Sequence, residues 1–280
     1  MDFKKALMYM VISTLSFTFM NATVKYLVHL PAYELVFFRS LGTLILTMSY
    51  LTIKKIPILG NRRKLLIYRG LAGVTSMTLF FMSLKYLTMG TAVSLRYIAP
   101  IFAAFFAIFL LKEKVKFMQW IFFGIAFGGV LILKGFDGTL DSFGLILIIL
   151  AAFFSGLVYV TISKIGKQDH PVVVVNYFMM IATFVGGILT IFNWVRPVGT
   201  EWILLLGLGI FGYFGQLYMT KAFQSGTTNQ VAPLKYIEVL FTVTVGLLWF
   251  NEIYTLWSLL GIFMIIGGLI LNAMYKSRIS

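Results

Sequence analysis

The sequence predicts an all-α integral membrane protein of ten transmembrane helices, arranged as two inverted five-helix repeats. Three observations carry that prediction. First, 60% of the residues are hydrophobic and only 11% charged, with a mean hydropathy of +0.95. A soluble domain needs roughly 25% charged residues to solvate its surface, so lipid is the main solvent of this chain. Second, the apolar residues gather into ten continuous runs, each of about 20 residues, the length that crosses a bilayer as a helix. Third, a shift of 139 positions, without a gap, lays the first half of the chain on the second.

Taken in order, the runs fall at roughly 6–26, 33–53, 65–86, 91–111, 115–134, 143–165, 172–193, 201–223, 229–250 and 254–275. The first follows Lys4-Lys5 and resembles a signal peptide, but it is longer than an h-region and Met20-Asn21-Ala22 is a poor cleavage site. It is expected to be an uncleaved first transmembrane helix. Connections between runs are short, so consecutive helices should be antiparallel. The runs are continuous and do not alternate, which points to helices and away from a barrel.

The repeat is written in charges and glycines as well as in apolar runs. Arg96-Tyr97-Ile98 returns as Lys235-Tyr236-Ile237, the Glu113 ending as Glu252, and Gly128-Gly129 as Gly267-Gly268. Lys25 pairs with Lys164, Gly70 with Gly209 and Gly73 with Gly212. We divide the chain at 1–137 and 138–280. Five helices is an odd number, so the second repeat enters the membrane from the other side. The two are then related by a pseudo-two-fold axis in the membrane plane, which allows two nearly equivalent conformations, one open to each face.

Orientation follows from basic residues. With the N-terminus inside, the cytoplasmic ends carry Lys4, Lys5, Lys54, Lys55, Arg62, Arg63, Lys64, Lys112, Lys114, Lys116, Lys164, Lys167, Lys276 and Arg278. The other face keeps Lys25, Lys85, Lys134 and Arg196. Both termini are therefore expected in the cytoplasm, with the protein in the inner membrane. The same clustering explains the formal charge of +14 without a nucleic-acid partner.

Composition also excludes chemistry. The chain has no cysteine, hence no disulfide framework or thiolate site. Its two histidines, His29 and His170, lie far apart, so neither a metal site nor another cofactor is expected. A membrane-embedded enzyme would need a nucleophile–base set at membrane depth, and Glu34 with Glu238 does not supply one. No GxxxxGK[ST] phosphate loop is present, so energy must come from a gradient, through a coupled proton or an exchanged solute.

A charge in hydrocarbon costs at least about 2.5–3.5 kcal/mol on insertion scales, so each intramembrane charge needs a reason. Arg96 and Lys235 lie at matching depths in the fourth and ninth runs, on opposite sides of the midplane, each followed by a tyrosine, Tyr97 and Tyr236. They would hold an anionic or zwitterionic small molecule, or else snorkel to the nearer interface. Glu238, one turn beyond Lys235, is the deepest acid. It would neutralise Lys235, meet a substrate amine or carry a coupling proton. Its counterpart is Ala99, outside the symmetric plan. Pro100 and Pro233 remove backbone donors beside these charges, which suits a bent, cavity-lining segment. Glu34 and Arg39 suggest an outer gate or an interface anchor, Arg69 an anchor or a cavity residue, and Lys221 an interfacial one. Gln216 is an amide in hydrocarbon that wants a partner. Asn21, Tyr159, Tyr213 and Tyr218 would complete a chamber. Glu113 and Glu252 are expected to cap turns, and the paired glycines to let helices approach closely.

With these residues in place the chain resembles the drug/metabolite transporter superfamily, and within it the EamA family, over essentially its whole length. The resemblance is carried by the tract ending Ala99-Pro100, Leu110-Leu111-Lys112-Glu113, Gly128-Gly129-Val130-Leu131, Val231-Ala232-Pro233-Leu234-Lys235-Tyr236 and the Glu252 ending. The family's usual glycine before the glutamate is replaced by Lys112 and Asn251, and Val239 stands where a proline is common. The resemblance implies a secondary carrier with a central cavity lined by helices 1–4 and 6–9, helices 5 and 10 supporting at the edge. The expected function is transport of a small polar metabolite, an amino acid or another carboxylate-bearing or zwitterionic solute, by alternating access. Arg69 and the Arg96 region are similar to members associated with S-adenosylmethionine uptake. That carrier, or a drug or nucleoside carrier of the same fold, is the alternative; a channel is the reading from a different class. Arg39, Arg69, Arg96, Tyr97, Gln216, Lys235, Tyr236 and Glu238 are the expected substrate-binding residues.

Overall fold

The computed structural model describes residues 3–110, 116–136, 141–165, 168–225 and 232–279. Leu111, Lys112, Glu113, Lys114, Lys167 and Val231, named above, lie outside the described residues. The described chain is helical throughout: α1 (Phe3–Tyr26), α2 (Ala32–Ile53), α3 (Arg63–Ser83), α4 (Met89–Arg96), α5 (Ala99–Leu110), α6 (Phe117–Phe136), α7 (Ser142–Ile165), α8 (Pro171–Phe192) and α9 (Glu201–Ser225), then a 3-10 turn (Ala232–Tyr236), α10 (Ile237–Phe250) and α11 (Leu256–Ile279). Among the described residues, eight spans are long and apolar enough to cross a membrane, with Met89–Phe106 counted as one of them. The shorter apolar helix Phe117–Ile132 and the 3-10 turn with α10 supply the other two crossings. The protein is a multi-span membrane protein.

Packing repeats itself at the 139-residue interval. In the α6–α11 pair, a Cβ placed on Gly129 would stand 2.6 Å from the Gly261 carbonyl oxygen and 3.0 Å from the Ile265 nitrogen. A Cβ on Gly268 would stand 2.7 Å from the Phe122 carbonyl oxygen and 2.8 Å from the Ala126 nitrogen. Gly129 and Gly268, Phe122 and Gly261, and Ala126 and Ile265 are three pairs 139 positions apart, so each helix sets its glycine against the backbone of the other. Gly128 has only the tip of Met264 nearby, at 3.4 Å, and Gly267 has nothing within 4 Å. Of each glycine pair, only the second residue is needed for close approach.

The same holds nearer the centre. Gly209 of α9 lies with its backbone against Gly42 of α2. Its equivalent, Gly70 of α3, lies against Ile181 of α8, the equivalent of Gly42. The largest buried apolar cluster joins both halves, running from Phe80 and Leu84 through Leu95 and Ile98 to Ile148, Met179 and Ile265. The two halves therefore share one interior, and the site lies between them.

Candidate functional site

The fourth and ninth crossings are both broken at the position that carries the Arg-Tyr or Lys-Tyr pair. Helix α4 is capped at its start by Thr88, whose side chain accepts from the Thr91 N–H, and at its end by Tyr97. The Tyr97 N–H reaches back to Val93 and Ser94, and the Ile98 N–H to Leu95, before α5 opens with Pro100 in its first turn. In the ninth crossing the 3-10 turn ends at Tyr236 and α10 begins at Ile237. A proline lacks the N–H that a continuous helix would use, so the chain changes helix type beside it. Arg96 and Lys235 are thus held at two breaks, not along two smooth helices.

The breaks face a central cavity of about 130 Å³. Its wall is built from α1, α2, α3, α4, α7, α8, α9 and the ninth crossing, with no described residue of α6 or α11. Arg39, Arg69, Arg96, Tyr97, Gln216, Lys235 and Glu238 all line it, together with Asn21 and Tyr159. Tyr236 is not on the wall. It packs edge to face against Tyr97, with ring centroids 5.2 Å apart. Tyr213 belongs to a second chamber, and Tyr218 packs with Tyr9 and Phe214. Glu34 and Arg39 go to different places. Glu34 accepts from the Val195 N–H at 3.2 Å, while Arg39 reaches the cavity.

Among the described residues, four cations and one carboxylate share this wall. Glu238 is 5% exposed and accepts from Asn21 Nδ2 at 3.2 Å and from the Tyr97 hydroxyl at 2.7 Å. Among the described residues it makes no ion pair with Lys235 within 4 Å; the Lys235 ammonium lies 5.5 Å from the centre of the Tyr97 ring. Arg39, 4% exposed, donates from Nε to Met20 Sδ at 3.0 Å and from Nη1 to Met77 Sδ. Arg69, 6% exposed, lies 4.2 Å over the Phe178 ring, and its Nε and Nη1 have no hydrogen-bond partner. The Arg96 guanidinium lies 4.4 Å over Phe80. All three arginines thus rest on thioethers or ring faces. Met20, Met77, Phe80 and Phe178 are not legible in the sequence as site residues, because methionine and phenylalanine are the ordinary filling of so apolar a chain. Ser76 and Ser155, bonded to each other at 2.7 Å on the wall, also escape sequence reasoning.

The ends of the bundle are tied across the two halves. At the end opposite the N-terminus, the Glu252 carboxylate accepts from the Met89 N–H at 2.9 and 3.0 Å and from the Tyr254 hydroxyl at 2.6 Å. Glu252 therefore caps the first turn of α4, a helix of the other half, where the helix dipole favours a negative charge. Lys25 stands 3.5 Å from the same carboxylate and donates to the carbonyls of Leu84 and Leu87 at 2.7 and 2.6 Å. At the N-terminal end, Asp169 accepts from the backbone of Asn61 and Arg62. On that side a second chamber of about 120 Å³, lined by Tyr50, His170, Tyr213 and Lys221, shares Gln216 with the first. Among the described residues there is no group of three or more His, Asp or Glu placed to hold a metal ion.

Comparison with known proteins points one way. The model of the EamA-like transporter family matches residues 4–134 and again 142–274. The pseudopaline exporter CntI of Pseudomonas aeruginosa (strain UCBPP-PA14) is 29% identical over 256 residues, covering 89% of each chain. Solute carrier family 35 member G1 of Homo sapiens is 26% identical over 280 residues, covering 94% of this chain and 77% of that protein. A solved crystal structure superposes with a TM-score of 0.70 over 99% of both chains at 14% identity, a likeness of fold.

Proposed function

This chain belongs to the EamA-like transporter family, and on that premise we propose that it is a secondary active carrier of a small polar metabolite bearing a carboxylate, working by alternating access. The observation that carries the reading is the placing of Arg39, Arg69, Arg96 and Lys235 against Glu238, the single acid among the described residues of that wall, in one cavity between the halves. A solute carboxylate finds there the donors that Glu238 does not occupy. A zwitterion would set its amine toward Glu238. In this reading the repeats divide at 1–137 and 138–280, both termini are cytoplasmic, and the protein sits in the inner membrane, as the distribution of Lys and Arg supports.

The structure would then be the state closed to the outside. Lys25, Glu252 and the first turn of α4 form the outer seal, and the chamber beyond Gln216 leads toward the cytoplasm. Opening the other way requires Glu252 to release α4. Glu238 is the acid placed to couple a proton to the cycle, since its partners are a neutral amide and a phenol. An exchanged solute is the other source of drive. The existence of an exporter among the relatives supports outward movement.

Counterflow in proteoliposomes tests the proposal, with a panel of amino acids, organic acids, nucleosides and S-adenosylmethionine. The wild type should show saturable exchange of a carboxylate-bearing solute, lost in Lys235→Met and Arg96→Met. Exchange that survives both substitutions would remove these cations from the site. Flux that never saturates would point to a channel instead.

A further inference from the structure

Resting on the reading of the central cavity as the solute site, we infer that its solute carries at least two negative charges, as a dicarboxylate or a phosphomonoester does. The first argument is count. Among the described residues, four cationic side chains line the cavity and one carboxylate answers them. A singly charged solute would leave a surplus of two positive charges on this wall, and a doubly charged one leaves a surplus of one. Arg39 sits within electrostatic reach of both Arg69 and Arg96, so three of the four cations repel one another across the cavity.

The second argument is the quality of the partners. A guanidinium presents five donors in a planar fork that matches the oxygens of a carboxylate or phosphate, two bonds at a time. Here those forks have no oxyanion. Arg39 spends its donors on two thioether sulfurs, which are weak acceptors. Arg69 leaves Nε and Nη1 buried without any acceptor. Arg96 lies on the face of Phe80. Glu238 gives none of them a direct ion pair: its hydrogen bonds come from the Asn21 amide and the Tyr97 hydroxyl, and its charge reaches Arg96 and Lys235 only through space.

Soft partners have a mechanical consequence. A cation held by an ion pair must break that pair to bind solute. A cation held on a ring or a sulfur gives up a weaker contact, so the binding of two oxyanion groups is not opposed by lost salt bridges. The neutral part of the wall, with Ser76, Ser155 and Gln216, supplies further polar groups but, among the described residues, no second negative charge to repel the solute.

Melting-temperature shifts of the full chain in detergent test this, with succinate and glycerol 3-phosphate compared with acetate, alanine and uridine at matched ionic strength. At least one dianion should raise the melting temperature, half-maximally at a concentration about tenfold or more below that for acetate. Whichever dianion acts separates dicarboxylate from phosphate recognition. Arg39→Gln and Arg69→Gln should each raise that concentration about tenfold, one lost charge-assisted contact, while Lys54→Gln at the exposed end of α2 should not. The ligand-free melting temperature of each variant reads its folding separately. Acetate acting as well as both dianions, or no shift with either dianion, overturns the inference. Dianion binding without counterflow of the same dianion would sink the carrier reading and leave the inference. Saturable exchange of alanine by a protein that binds neither dianion would do the reverse.

Discussion

Tyr97 and Tyr236, 139 positions apart, pack edge to face with ring centroids 5.2 Å apart and planes at 87°. Two equivalent residues that touch each other must lie beside the pseudo-two-fold axis. The pair therefore marks the centre of the protein, and two of the cavity charges, Glu238 and Lys235, contact it. Tyr97 donates to Glu238, and Lys235 rests over the Tyr97 ring.

Tyr97→Phe isolates that hydroxyl. The ring and its packing on Tyr236 remain, but the buried Glu238 carboxylate keeps only Asn21. A hydrogen bond to a charged group contributes about 1.5–3 kcal/mol. The variant should lose stability of that order, read as a lower melting temperature, and should lose exchange activity. An unchanged melting temperature would mean that Glu238 finds another donor.

Arg69→Met should act in the opposite direction on stability. The guanidinium is 6% exposed, two of its nitrogens lack partners, and its visible support is the Phe178 ring. Replacing a poorly compensated buried charge by an apolar chain of similar length is often stabilising by about 1 kcal/mol or more. The variant should melt higher than the wild type and transport less. This is the trade expected where stability has been given up for a site. A lower melting temperature would show that Arg69 has a structural partner in solution.

Glu252→Gln tests the tie between the halves. It weakens the charge-assisted bonds to the Met89 N–H and the ion pair with Lys25. The chain has no cysteine, so Val93→Cys on the cavity wall reports access alone. Labelling by an impermeant thiol reagent from the face that bears Glu252 should speed up about tenfold, the factor that 1.4 kcal/mol represents. An unchanged rate would make Glu252 a helix cap with no part in closure.

The glycines of the α6–α11 contact give a paired prediction. Gly129→Ala and Gly268→Ala drive a methyl group into facing backbone and should cost about 1–3 kcal/mol, seen as lower melting temperatures. Gly128→Ala and Gly267→Ala have room and should be near neutral or slightly stabilising. Equal effects at all four positions would contradict the asymmetry within each glycine pair.

Much of the fold is legible in the sequence, because it rests on quantities that are local along the chain. Apolar run length sets where a helix crosses, and a gapless shift of 139 positions pairs Arg96 with Lys235 and Gly129 with Gly268. The breaks beside Pro100 and Pro233 follow from a missing backbone donor. Those features need no knowledge of which side chains meet.

What the tertiary structure decided is who faces whom. Glu34 and Arg39 are five residues apart on one helix, yet only Arg39 enters the cavity. Arg69 proves to be a cavity residue, and Tyr236 a support for Tyr97. Glu252 caps a helix of the opposite half, and Lys25 turns inward to meet it. In a soluble protein the polar face of a helix announces its direction. In lipid almost every face is apolar, so periodicity loses that information. The sequence by itself determined the crossings, the repeat and the list of costly charges. Only the packing of two inverted halves around Tyr97 and Tyr236 decided that four cations and one acid share a single chamber.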